Sequence, residues 1–119
     1  MKNTTQTWNI WELIAIKYLK NKWYKLLDTN FKFGRAGEVD LIMQKDWLTI
    51  FFEVKYRNNL KFGLPEEAVT SYKLRKCRKT VEFYCVKNNI DFEKIRFDVI
   101  AILKQKDSYR VTHYKNIEI

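Results

Sequence analysis

The sequence predicts an α/β domain, a mixed β-sheet flanked by helices in the order α-β-β-β-α-β-β. Three observations lead there. Two stretches repeat apolar residues every three or four positions, as amphipathic helices do. Between and after them lie short runs with period-two alternation, rich in β-branched and aromatic residues. The chain has 119 residues, 46% of them hydrophobic, with only three Gly and one Pro and no break in composition. That is material for one core, hence a single domain over 1–119.

The first helix is expected over residues 8–21, where Trp11, Ile14, Ala15, Tyr18 and Leu19 form the stripe. Residues 23–33 read as extended, with Leu27, Thr29, Phe31 and Phe33 on one parity and Gly34 closing the run. Glu38 to Met43 is a short strand, ended by the polar turn Gln44-Lys45-Asp46, and Leu48 to Arg57 is the clearest strand of the chain. Asn58 to Pro65 is a loop. A second helix is predicted from Glu66 to Val86, just after Pro65, with the stripe Leu74, Cys77, Val81, Tyr84 and Cys85 and a stop at Asn88-Asn89. Ile95–Leu103 and Tyr109–Tyr114 complete the sheet, and Lys115 to Ile119 is expected to be a loose end.

Composition narrows the function classes. The longest apolar run, Val99 to Leu103, is far short of a membrane span. Leu13 to Ile16 is cut off by Lys17, so no signal-peptide core is expected and the chain is predicted to be cytoplasmic, without a membrane partner. Twenty-three Lys and Arg against fourteen Asp and Glu leave a net charge of +9. Such a field attracts polyanions, either nucleic acid or an anionic surface; a Lys-rich protein that is merely soluble is the plain alternative. Cys77 and Cys85 stand eight apart without a His cluster, which suits buried thiols on one helix face rather than zinc.

Asp40 lies inside Val39-Asp40-Leu41-Ile42, and thirteen residues later comes Phe52-Glu53-Val54-Lys55. Alternation puts Glu53, Lys55 and Arg57 on one strand face and Phe52, Val54 and Tyr56 on the other. If the two strands are hairpin neighbours, Asp40 approaches Glu53. Two bare carboxylates about 4 Å apart repel by roughly 4 kcal/mol at an effective dielectric near 20. Such a pair calls for a cation, and hard oxygen ligands suit Mg²⁺ or Mn²⁺. With Lys55 beside it, the set has the parts that phosphodiester cleavage needs. A solvated sheet face with an ordinary Glu-Lys pair is the competing reading. The single histidine, His113, has no evident partner for nucleophilic catalysis.

Gly37-Glu38-Val39-Asp40-Leu41-Ile42, Phe52-Glu53-Val54-Lys55-Tyr56-Arg57, Phe62-Gly63, Lys73 and Arg96-Phe97-Asp98 together resemble the YraN-like family of small bacterial proteins. These are similar in fold to the PD-(D/E)XK endonucleases and to archaeal Holliday-junction resolvases. The resemblance runs from about Trp8 to Asn116. It implies a restriction-endonuclease-like core with Asp40 and Glu53 as metal ligands and Lys55 as the catalytic lysine. It also gives Glu12, on the first helix, a place in the metal shell; an N-terminal-turn Glu favoured by the helix dipole is the alternative. The family's Gly before that Glu is Trp11 here.

Lys73, Arg75, Lys76, Arg78 and Lys79 fall in one segment without an acid. Helical geometry turns Arg75, Lys76 and Lys79 away from the apolar stripe, as phosphate contacts or as a solvated face. Lys73 lies nearer the stripe, and Arg57 is in line with Glu53 and Lys55. Arg96 and Asp98 share a strand face and are expected to pair. Trp8, Trp23 and Trp47 could stack on exposed bases, with a hydrophobic role as the plainer reading. The expectation is a metal-dependent endonuclease acting on DNA, with branched structures implied by the resolvase likeness and homodimerisation by analogy with it. A nucleic-acid-binding module of the same fold that does not cut is the alternative, and a scaffold whose basic face meets an acidic protein or membrane is a third.

Overall fold

A computed structural model describes residues 9–35, 37–61, 63 and 71–119, with the main chain alone at 71–73 and 76. Its elements are α1 (Ile10–Lys20), β1 (Lys25–Lys32), β2 (Glu38–Lys45), β3 (Leu48–Arg57), α2 (Ser71–Lys87), β4 (Ile95–Lys104) and β5 (Tyr109–Tyr114), with a 3-10 turn at Phe92–Lys94. The predicted order holds. The predicted positions Trp8, Phe62, Pro65 and Glu66 to Thr70 lie outside the described residues.

The sheet order is β1-β2-β3-β4-β5. Only β3 and β4 are parallel, because α2 carries the chain back over one face between them. The other neighbours are antiparallel. α1 packs Ala15, Ile16 and Leu19 on one face against Leu41, Met43, Ile50, Phe52, Ile100 and Ile102. α2 covers the other with Cys77, Val81, Tyr84 and Cys85 against Val39, Ile42, Phe51, Phe97 and Val99. Both cysteines are buried and neither is in a disulfide, and burial pushes the Cys85 thiol up to about 11, so it stays protonated and inert.

Local chemistry sets the element ends. Asn9 caps α1, its side chain accepting the Trp11 N–H at 2.8 Å, with Glu12 in the first turn and Lys17 and Lys20 in the last. Asn89 ends α2 with a φ of 54°, and the Ile90 N–H closes onto the Cys85 carbonyl. β2 runs two residues further than expected, and Asp46-Trp47 makes the hairpin turn with Asp46 at a φ of 56°.

Two expectations are corrected. Leu27 does not share the parity of Thr29 and Phe31: Leu26 pairs with Met43 and Asp28 with Ile42, so Leu27 is an inserted bulge residue. It is therefore turned outward and exposed, while Leu26 packs on the core. The tail after Tyr114 is docked rather than loose. The Ile117 N–H reaches the Phe97 carbonyl, and Ile117 and Ile119 pack on the α2-side core.

The dock is built on Asp98, which is fully buried. Its carboxylate accepts two bonds from Arg96, at 2.8 and 2.9 Å, one from the Asn116 N–H, and lies 2.7 Å from His113 Nε2. Arg96 in turn donates to the Tyr24 hydroxyl. The expected Arg96–Asp98 pair is present, and His113, expected to lack a partner, has one. Burial alone would raise the Asp98 pKa, but the bonds from His113, Arg96 and Asn116 outweigh it and hold it below the usual carboxylate range.

Candidate metal and phosphate site

The site forms where the sheet splits. The β2–β3 ladder runs from Lys45↔Leu48 to Leu41↔Phe52 and stops there. β3 continues for five more residues in register with β4 alone, from Glu53↔Val99 to Arg57↔Leu103. Past the split, the Val54 N–H is taken by Asp40 Oδ2 at 2.8 Å. The gap is a cleft of about 450 Å³ lined by Asp40, Glu53, Lys55, Arg57 and Glu12, with Trp11 and Tyr56 beside them.

Four of the expected groups, Asp40, Glu53, Lys55 and Glu12, thus meet in one cleft, and Arg57 joins them. Glu53 is buried, at 3% exposure, and its Oε1 lies 2.9 Å from Lys55 Nζ. Glu12 is likewise buried and accepts a 2.7 Å bond from Asn30 Nδ2. Burial pushes the Asp40 carboxyl up to about 8, and the charge of Glu53 adds to it, with smaller contributions from Glu12 and Glu38. The Val54 N–H works against this rise without cancelling it.

The donor set fits a hard divalent cation in one respect and is incomplete in another. An acid held protonated by burial and then by a neighbouring carboxylate is what a bound cation would relieve, and its oxygens suit Mg²⁺ or Mn²⁺. Among the described residues, however, no three His, Cys, Asp or Glu side chains converge closely enough to hold an ion. Asp40 and Glu53 are the residues that would hold it. Glu12 stands on the cleft wall, tied to Asn30.

The basic segment of α2 divides. Arg75 and Lys79 are exposed, and neither lines the cleft. Lys79 instead borders a shallow groove with Phe33, Glu82, Phe83 and Val86. The side chains of Lys73 and Lys76 lie outside the described residues. Trp23 and Trp47, for which a hydrophobic role is the plainer expectation, are 86% and 81% exposed. They sit at the sheet end away from the cleft, near Lys25↔Gln44 and Lys45↔Leu48.

Asn30, Asn9 and Tyr56 are site residues that sequence reasoning does not single out. Asn30 carries a signal nonetheless: an Asn inside an extended run is unfavourable, and here it adopts a φ of 51° and braces Glu12.

Comparisons with known proteins agree with the resemblance in the motifs. A model of the "Uncharacterised protein family UPF0102" matches residues 11–102, a span from the Glu12 turn through most of β4. A UPF0102 protein of Flavobacterium psychrophilum is 35% identical over 105 residues, 88% of this chain and 87% of the relative. One from Syntrophomonas wolfei is 40% identical over 105 residues, covering 88% and 90%. One from Clostridioides difficile is 37% identical over 115 residues, covering 96% and 97%.

Proposed function

The chain belongs to the uncharacterised protein family UPF0102, and from the cleft it carries we propose a metal-dependent endonuclease acting on DNA with branched or otherwise non-duplex structure. The observation that carries this reading is the paired Asp40 and Glu53 at the split of the sheet, with Lys55 2.9 Å from Glu53. Mg²⁺ or Mn²⁺ would supply polarisation of a non-bridging phosphate oxygen and a lowered pKa for water.

The chain's own groups account for the rest. Asp40 is oriented by the Val54 N–H, so its second oxygen is left for the cleft. Lys55 sits part-exposed beside Glu53, where its ammonium can orient the attacking water or meet charge developing on phosphate. Arg57, further along β3, suits a neighbouring phosphate. Glu12, braced by Asn30, borders the same space and fits a role in fixing a water. Arg75, Lys76, Lys79 and Lys73 on α2 add non-specific phosphate attraction to a chain of net charge +9. We extend the reading to a cytoplasmic protein; no described helix is long and apolar enough to cross a membrane. A homodimer would let one small domain meet two strands of a junction.

A second reading is favoured by one observation. Lys55 occupies the Glu53 carboxylate, as a binding module without a metal would have it. The test is a panel of labelled duplex, single-stranded, flapped and four-way DNA with Mg²⁺, Mn²⁺ or EDTA, alongside Glu53→Ala. Metal-dependent cutting that the variant loses supports the endonuclease. Salt-sensitive binding without cutting selects the second reading.

A further inference from the structure

Beside the carboxylates the cleft has an aromatic wall. Trp11 and Tyr56 stack with their planes 15° apart, and Tyr109 meets Trp11 edge-on at 5.7 Å. Both Trp11 and Tyr56 are part-buried and line the cleft, so the wall combines fixed packing with ring surface open to a ligand. The Tyr56 hydroxyl is tied to the Asn58 side chain, which fixes that ring further.

The next residue of β3, Arg57, adds a second and independent observation. Its Nε is buried and has no hydrogen-bond partner among the described residues. A guanidinium N–H withdrawn from water without an acceptor is costly, and a phosphate oxygen is the acceptor it matches. Glu53 and Tyr56 are about 10 Å apart along β3; the rings lie on its α1 side and Arg57 and Glu53 on the other by alternation, yet all line the one cleft that opens at the parted strand edge.

Phosphate recognition alone does not explain the aromatic wall. A base that is paired and stacked in a duplex has no free π-face to offer, whereas an unpaired base has one. We propose that the Trp11–Tyr56 wall receives an unpaired base and Arg57 the phosphate attached to it, so that the substrate is DNA carrying an unpaired nucleotide beside the bond cut at Asp40 and Glu53. This rests on the endonuclease reading for the cut, but the binding step stands apart from it. Neither Trp11 nor Tyr56 approaches the reacting atoms in this assignment; both position the substrate.

The test measures binding in EDTA, where no cleavage enters. Fluorescence anisotropy compares a short labelled single strand with the same strand made abasic, and with blunt duplex. Base stacking predicts about tenfold tighter binding of the base-bearing strand than of the abasic one. Trp11→Leu, which keeps apolar packing but removes the ring, should erase that ratio, and Trp11→Phe should restore part of it. Arg57→Ala should weaken both strands together. Melting by circular dichroism checks that each variant is folded, and the wild-type ratio requires no variant at all. Equal affinity for base-bearing and abasic strands overturns the inference while leaving the endonuclease reading in place. No binding to any DNA at low salt overturns both.

Discussion

Asp40 Oδ2 accepts the Val54 N–H at 2.8 Å, just beyond the last β2–β3 rung at Leu41↔Phe52. The hydrogen bond that backbone pairing would have supplied is made by a carboxylate instead. One side chain thereby satisfies the parted strand and stands next to Glu53. The cost appears in Asp40 itself, which burial and Glu53 hold protonated up to about pH 8.

Asp40→Asn therefore separates stability from function. The amide keeps an acceptor for the Val54 N–H and cannot ionise, so folding no longer has to retain a proton that the unfolded chain gives up. We expect the metal-free variant to be more stable than wild type at pH 8, by on the order of 2 kcal/mol after discounting for solvent at the cleft, and inactive in cleavage. Urea unfolding at fixed m, beside the cleavage assay, checks both halves.

The same shift has a pH signature. Asp40 in the unfolded chain loses its proton near 3.8, while in the folded chain it keeps it to about 8. Between those values the folded state binds more protons, so this group's contribution favours folding below about pH 4 and is lost as pH rises to about 8. Wild type minus Asp40→Asn, followed as unfolding free energy from pH 5 to 9, should show a decline that Mn²⁺ abolishes. A flat difference would count against the buried acid.

Asp98 behaves oppositely. Its folded pKa lies below the ordinary 3.8, so its contribution is present above that value and fades as pH falls through the folded pKa. Asp98→Ala strands the Arg96 guanidinium and should cost about 3–5 kcal/mol. Removing residues 116–119 deletes the Asn116 and Ile117 N–H bonds and the packing of Ile117 and Ile119, for about 2 kcal/mol. Thermal melts of both variants measure these losses; an unchanged truncated chain would mean that the tail contributes nothing.

Phosphate contacts are countable through salt. If Arg75 and Lys79 each neutralise a phosphate, Arg75→Ala with Lys79→Ala should lower the slope of log K against log salt by about 1.4–1.8. An unchanged slope would make this exposed helix segment a solvated face.

Much of the sheet and of the cleft is legible in the sequence. The β-branched and aromatic run Leu48 to Arg57 forms β3 as read, and its alternation places Glu53, Lys55 and Arg57 in line. Hairpin adjacency brings Asp40 to Glu53 because Asp46-Trp47 is a short turn. The bulge at Leu27 is not legible: an inserted residue shifts parity without any mark in composition. Nor are the contacts of Asp98, since His113 and Asn116 reach it from β5 and the tail, fifteen and eighteen residues away. The aromatic wall joins α1 to β3 across the whole β1–β2 excursion, and no local pattern couples Trp11 to Tyr56. Family likeness points to Glu12, but its brace, Asn30, arises only from the fold.

Calorimetric titration of the metal-free protein with Mn²⁺ near pH 7, in buffers of different ionisation heat, probes the Asp40–Glu53 pair without any nucleic acid. One ion should bind per chain with release of nearly one proton as Asp40 ionises, and both should be lost in Glu53→Gln. Absence of binding by the wild type, or binding that Glu53→Gln leaves unchanged, would contradict the assignment of Asp40 and Glu53 as the metal site.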